Sequence, residues 1–103
     1  MDKRIEIDRP LSHDNAVMYG QVVSLELAIL ACNQLGIDVE RVDYTDWRRP
    51  CLIVKANAVT QQMLRQGKAF NYGSRVQNGI RVYLNHAIVN GVKIKWESSD
   101  YRH

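Results

Sequence analysis

The chain has 103 residues, of which 46% are hydrophobic and 24% charged, as expected for one soluble domain over residues 1–103. Such a length buries a core without disulfides or a structural metal. No uninterrupted apolar run reaches the roughly 20 residues that span a bilayer, and the segment MDKRIEIDRP lacks the apolar region of a signal peptide, so no membrane partner is expected.

Charge is divided unevenly along the chain. Residues 1–46 carry nine acidic and four basic residues, whereas residues 47–103 carry ten basic and two acidic ones. The split predicts an anionic partner for the second half, an attraction between the halves, or an internally compensated surface. The two cysteines, Cys32 and Cys51, lie in apolar surroundings and are predicted to be reduced core residues, which indicates a cytoplasmic location.

The first half of the chain predicts a short strand followed by a long helix. The segment RIEID at residues 4–8 alternates as a strand does, and Pro10 ends it. N-cap candidates at residues 12–14 begin a helix that runs to Leu35, where Gly36 follows as the C′ residue.

The predicted helix is apolar on two sides. At 100° per residue, one stripe holds Met18, Val22, Leu25, Ile29 and Cys32, and a second holds Tyr19, Val23, Leu27 and Leu30. A helix of this kind lies between two layers of its own fold, or one of its stripes contacts another subunit.

The remaining elements predict an α+β domain. Strands are expected at residues 37–45 and 51–56, a short helix at 58–66, and a three-stranded meander at 69–77, 79–89 and 92–98. The element order is β-α-β-β-α-β-β-β, and the predicted fold is an antiparallel sheet whose C-terminal meander packs against the one long helix.

Two Asn-Gly pairs, Asn78-Gly79 and Asn90-Gly91, set the register of the meander. As type I′ turns they place Gln77 opposite Ile80 and Val89 opposite Val92. The predicted core face then collects Phe70, Tyr72, Val76, Tyr83, Ala87, Val89, Val92, Ile94 and Trp96, with Ser74, Arg81 and Asn85 as exceptions.

The other face of the meander carries an aliphatic stripe on its middle strand. The stripe consists of Ile80, Val82, Leu84 and Ile88, and Arg75, Lys93 and Lys95 flank it. It is a contact surface for a partner, or the long helix or second hairpin covers it, or a bulge near Asn85-His86 exchanges the faces.

The segment DYTDWRRP at residues 43–50 is a second candidate contact. It brings Trp47, Arg48 and Arg49 into one predicted loop, and these residue types anchor protein interfaces and bind nucleic acid. Alternatively, Trp47 packs on the core and the arginines pair with Asp43 and Asp46.

No catalytic, metal or cofactor motif is found in the sequence, and His86 is interpreted as a sheet residue. The leading hypothesis is a non-enzymatic protein that binds a protein partner or forms a homodimer. The alternatives are a nucleic-acid-binding protein that uses the basic second half, and a small-molecule-binding protein or enzyme without a recognisable motif. Because the aromatic side chains are assigned to the core face, the nucleic-acid alternative is the weaker of the first two.

The predicted contact residues belong to the loop, the stripe and its flanks. They are Trp47, Arg48, Arg49, Arg75, Ile80, Val82, Leu84, Lys93 and Lys95.

Overall fold

The computed structural model describes residues 9–99, which form two helices and five strands. The elements are α1 (His13–Leu35), β1 (Val39–Asp43), β2 (Cys51–Val54), α2 (Ala58–Arg65), β3 (Phe70–Gln77), β4 (Ile80–Val89) and β5 (Val92–Ser99). The α+β class and the C-terminal meander are confirmed. The strand predicted at residues 4–8 lies outside the described residues.

The five strands form one mixed sheet in the order β1-β2-β5-β4-β3. Three of the pairings are antiparallel, and β2 pairs with β5 in parallel, so the sheet is not antiparallel throughout as the sequence predicted. The parallel pairing places the meander beside the β1–β2 hairpin and makes β5 an interior strand.

Local side-chain chemistry explains where the helices begin and end. Ser12 caps α1 by accepting a hydrogen bond from the backbone N–H of Asn15, and Gly36 ends the helix with φ of 84°, in the left-handed region. Asn57 and Thr60 form a reciprocal capping box at the start of α2. The Asn57 side chain also donates to the Gly36 carbonyl, at 2.9 Å, which ties the start of α2 to the end of α1.

Both helices contribute to a core on one face of the sheet. Only three residues of α1, Leu25, Ala28 and Cys32, are buried there, whereas Val59, Met63 and Leu64 pack from α2. The sheet supplies the rest of this core, chiefly Leu52, Val54, Ala87, Val89, Val92, Ile94 and Trp96. The fold therefore has two layers, and we call the other face of the sheet the open face.

The two Asn-Gly turns form as the sequence predicts. Asn78 and Asn90 have φ of 53° and 50°, and the glycines that follow them have φ of 77° and 80°. These pairs of positive angles are those of a type I′ turn. They fix Gln77 opposite Ile80 and Val89 opposite Val92, which confirms the predicted register at both turns.

A bulge in β3 overturns part of the predicted face assignment. Phe70 pairs with His86 and Asn71 with Asn85, but the next pair is Gly73 with Leu84, which leaves Tyr72 as an extra residue. The Asn71 side chain bridges the bulge by donating to the carbonyls of Gly73 and Leu84, at 3.0 and 3.3 Å.

Phe70 and Tyr72 consequently lie on the open face and not on the core face. Phe70 is 58% exposed and Tyr72 is 48% exposed. Both rings contact His86, with centroid distances of 6.3 and 5.1 Å. The alternative suggested by the sequence was a bulge in the middle strand, near Asn85-His86, whereas the bulge lies in β3.

Helix α1 is more apolar as a whole than the lengths of its uninterrupted apolar runs indicate. Its best 18-residue window has a mean hydropathy of 1.4, and only 17% of that window is buried, so by length and composition the helix could cross a membrane. Ser24 and Glu26 interrupt the longest apolar run, so a search for uninterrupted runs does not find a helix that could cross a membrane.

The glycines provide a test of the turn geometry. We expect Gly91→Ala to destabilise the fold by about 1–2 kcal/mol, because φ of 80° is disfavoured for residues with a Cβ atom. Gly20→Ala is the matched control: it lies inside α1, where a Cβ would have no neighbour within 4 Å, so it should stabilise by about 0.5–1 kcal/mol. Urea unfolding at one protein concentration measures both changes. Equal effects of the two substitutions would contradict the assigned turn.

Candidate functional site

Two apolar surfaces remain uncovered in the described part of the chain, and the first lies on α1. Eight of its large apolar side chains are 38–63% exposed: Val17, Met18, Tyr19, Val22, Leu27, Ile29, Leu30 and Leu35. No residue from 13 to 24 is buried, so both predicted stripes are accessible in this half of the helix. The second stripe, which includes Tyr19, Leu27 and Leu30, is turned away from the sheet along the whole helix.

The open face of the sheet is the second uncovered surface. Ile80 and Ile88 are 41% and 61% exposed, whereas Val82 and Leu84 are half-buried between neighbouring strands. Neither α1 nor α2 covers this stripe, because both helices lie on the opposite face. The bulge adds the rings of Phe70 and Tyr72, so the surface is both aliphatic and aromatic.

Charged side chains lie across the open face in register with this stripe. Lys95 is opposite His86, and Lys93 is opposite Ile88. Arg75 reaches across β4 to Glu97, with 2.9 Å between its Nη2 and a carboxylate oxygen, and Lys95 lies 4.0 Å from Asp43. Both pairs are partly solvated, so each contributes at most about 1 kcal/mol to stability.

The loop at residues 44–50 projects its Trp47 side chain into solvent. The indole is 62% exposed, and the Arg48 guanidinium lies 5.4 Å from its ring centroid. The arginines make no salt bridge with Asp43 or Asp46. The alternative in which Trp47 packs on the core is therefore not the arrangement observed.

Helix α1 and the acidic residues hold this loop in place. The Gln21 side chain donates to the carbonyls of Trp47 and Arg48, at 3.2 and 3.4 Å. Asp46 accepts from the Arg48 backbone N–H, at 3.1 Å. The backbone that carries the two arginines is thus held by hydrogen bonds from the side chains of Gln21 and Asp46.

Two clefts collect most of the predicted contact residues. The larger, of about 1030 Å³, lies between the loop, α1 and the sheet end, and Arg48, Arg49, Lys93 and Lys95 line it. The smaller, of about 620 Å³, lies on the open face and is lined by Tyr72, Arg75, Leu84 and Lys95, among others. Lys95 joins the two clefts. Trp47, Ile80 and Val82 line neither of them.

Asp43 is the acidic group at the junction of the two clefts. Hydrogen bonds from the hydroxyl and backbone N–H of Thr45, at 2.6 and 2.9 Å, lower the pKa of its carboxyl group, and the charges of Lys95 and Arg41 lower it further. The Cys51 thiol lies 3.9 Å from this carboxylate, and burial raises the pKa of the thiol.

Metal and thiol chemistry each require particular side chains in the clefts. Among residues 9–99, no group of three His, Cys, Asp or Glu side chains is arranged to hold a metal ion. Both cysteines are buried and free. His86 lies against Phe70 and Tyr72, and its buried Nδ1 has no hydrogen-bond partner in the described part of the chain.

Comparison with known proteins places the chain in a family. The model of a family described as "Uncharacterised protein" matches residues 6–99. The chain belongs to this family. An uncharacterized protein from Haemophilus influenzae is 48% identical over 93 residues, which cover 90% of this chain and 89% of that protein. No solved structure matches the chain.

The exposed side chains of α1 are not among the contact residues predicted from the sequence, and neither are Phe70 and Tyr72. The two stripes of α1 were visible in the sequence, but only the structure shows that its N-terminal half extends past the core. The open-face position of Phe70 and Tyr72 depends on the bulge, and the only local signal for it is the sequence Asn71-Tyr72-Gly73, in which Asn71 bonds across the bulge.

Asp43→Asn tests the electrostatics at the junction of the clefts. Because the pKa of Asp43 is lowered in the folded chain, its carboxylate stabilises the fold above the ordinary pKa of 3.8, and this contribution is lost as the pH falls through the lowered value. We expect the variant to be less stable than the wild type at pH 7 and the difference to shrink below pH 3.8. Urea unfolding at pH 7 and below pH 3.8 measures the difference in free energy of unfolding between wild type and variant. The control is Asp38→Asn, because Asp38 is exposed. A difference independent of pH would contradict the assignment.

Proposed function

We propose that this protein is a non-catalytic binding protein that forms a homodimer through α1. The supporting observation is that α1 exposes eight large apolar side chains, whereas only Leu25, Ala28 and Cys32 bury it against its own sheet. An exposed apolar surface of this extent on a small domain is typical of an interface.

The size of the surface supports a second copy as the partner. The exposed parts of the eight side chains amount to roughly 700 Å² in total, spread over both stripes of the helix, against the ~800 Å² that each partner buries in a standard interface. All of them lie on one helix, so a twofold axis can bring the same surface of two copies together.

The packing of α1 favours a second copy over a bilayer. The C-terminal half of the helix is held to the sheet by its three buried residues, which leaves residues 13–24 to project. Twelve helical residues extend about 18 Å, whereas the hydrocarbon core is about 30 Å thick. A membrane-spanning α1 would have to leave the core of its own domain.

Leu27→Gln combined with Leu30→Gln tests the proposed interface. Both side chains are about half exposed and turned away from the sheet, so the monomer should stay folded. Each dimer loses four apolar side chains from its interface. We therefore expect the dissociation constant of the dimer to rise roughly 100-fold or more. Light scattering coupled to size exclusion should give twice the 11.9 kDa chain mass for the wild type at about 50 µM and the single mass for the variant.

Val76→Gln is the matched control, because Val76 is 62% exposed but lies on β3. The Val76→Gln variant should have the same dimer mass as the wild type at the same concentration. A wild-type mass of 11.9 kDa at this concentration would refute the dimer. Sedimentation of the wild type with lipid vesicles, abolished in the α1 variant, would assign the same surface to a membrane.

A further inference from the structure

We propose that the open face of the sheet binds single-stranded nucleic acid, with bases stacked on Phe70 and Tyr72 and phosphates held by the basic residues beside them. The two rings lie on the opposite side of the sheet from α1, so stacking on them is independent of the dimer. It rests on three features: two exposed rings, Lys95 on the same line across the sheet as Phe70, and a cleft that is lined by both Tyr72 and Lys95.

The rings are fixed in place for stacking. Tyr72 meets His86 edge-on, with an interplanar angle of 79°, and Phe70 contacts the same imidazole from the neighbouring position. The Asn71 hydrogen bonds across the bulge hold the backbone that carries both rings. Exposed aromatic residues on a sheet face are the usual platform for unstacked bases, and every base presents a ring face to them.

The charge around the rings has the sign that a phosphate backbone requires. The smaller cleft beside Tyr72 is lined by four basic residues, Arg41, Lys55, Arg75 and Lys95, and by three acidic residues, Glu40, Asp43 and Glu97, so basic residues outnumber acidic ones there by one. Lys95 lies two strands away from Phe70, on the same line across the sheet, at roughly 10 Å from strand spacing.

The cations continue from Lys95 into the larger cleft. Lys93, Arg48 and Arg49 line that cleft together with Asp43 and Asp46, and none of the three basic residues forms a salt bridge within residues 9–99. Trp47 adds a third exposed ring beside Arg48. A chain of nucleotides that begins at Tyr72 and passes Lys95 would therefore find cations along its path and another stacking surface near its end.

The shape of the surface favours a single strand over a duplex. Bases of a duplex are stacked on one another, so side-chain rings reach them only after they unpair. The floor between Tyr72 and Lys95 is the half-buried Leu84, an apolar surface on which a base or sugar can lie.

Substitution of the two rings gives the direct test. Fluorescence anisotropy with labelled 12-nucleotide DNA and RNA of mixed sequence should show that Phe70→Ala and Tyr72→Ala each weaken binding about 5- to 150-fold. Val76→Ala is the control, because Val76 is 62% exposed on the same strand but points to the other face, and its affinity should stay within about twofold of the wild type.

Substitution of the cations gives a second, independent readout. For the wild type, affinity should fall with salt by a log–log slope of about 0.7 per phosphate contact, and Lys93→Gln with Arg49→Gln should reduce the slope by about 1.4. Arg65→Gln with Lys68→Gln removes the same charge from α2 and the segment after it and should leave the slope unchanged.

The proposal fails if the wild type binds neither oligonucleotide at about 50 mM salt, in which case the open face is assigned to a protein partner. It also fails if the duplex of the same sequence binds more tightly than the single strand, or if ring and control variants lose affinity equally. A dimer mass unchanged in the Phe70 and Tyr72 variants would show that loss of binding does not arise from loss of assembly.

Discussion

The contact between three residues of α1 and one face of the sheet determines the rest of this structure. Leu25, Ala28 and Cys32 pack against the core strands, and α2 adds a short second cover on the same side. Most of the other large apolar side chains of α1, and the aliphatic stripe of the open face, lie outside this contact. The surfaces that we assign to binding are the two sides of a two-layer fold that has no third layer in the described part of the chain.

The two uncovered sides have different chemistry. The α1 side carries little charge, with Asp14 and Glu26 as its only acidic residues and no lysine or arginine between residues 13 and 35. The open face combines an aliphatic stripe with rings and cations. Because these sides lie on opposite faces of the sheet, pairing through α1 would leave two open faces accessible, and a dimer could contact one nucleic-acid strand at two places.

Local chemistry made much of the fold predictable. Asn-Gly turns, the Ser12 cap and the Gly36 terminus each depend on residues within a few positions of one another, and all were recognised in the sequence. The order of strands was not predictable, because the parallel pairing of β2 with β5 depends on contacts between residues about 40 positions apart.

The candidate site was predicted less completely than the fold. The basic residues of the loop and of β5 were identified, and Arg48, Arg49, Lys93 and Lys95 do meet at one cleft. The positions of Phe70 and Tyr72 were wrong, since one extra residue in β3 reverses every side chain before it. That error also weakened the nucleic-acid alternative, because it placed in the core two rings that are exposed.

Hydrogen exchange of α1 at two protein concentrations tests the central claim most directly, that this helix is covered by a second copy. Residues 13–24 have no buried side chain in the single chain, so their protection should rise between about 1 µM and 100 µM, whereas that of β3 should stay the same. Protection of residues 13–24 that does not change with concentration, in a protein whose mass remains that of one chain, would contradict the account.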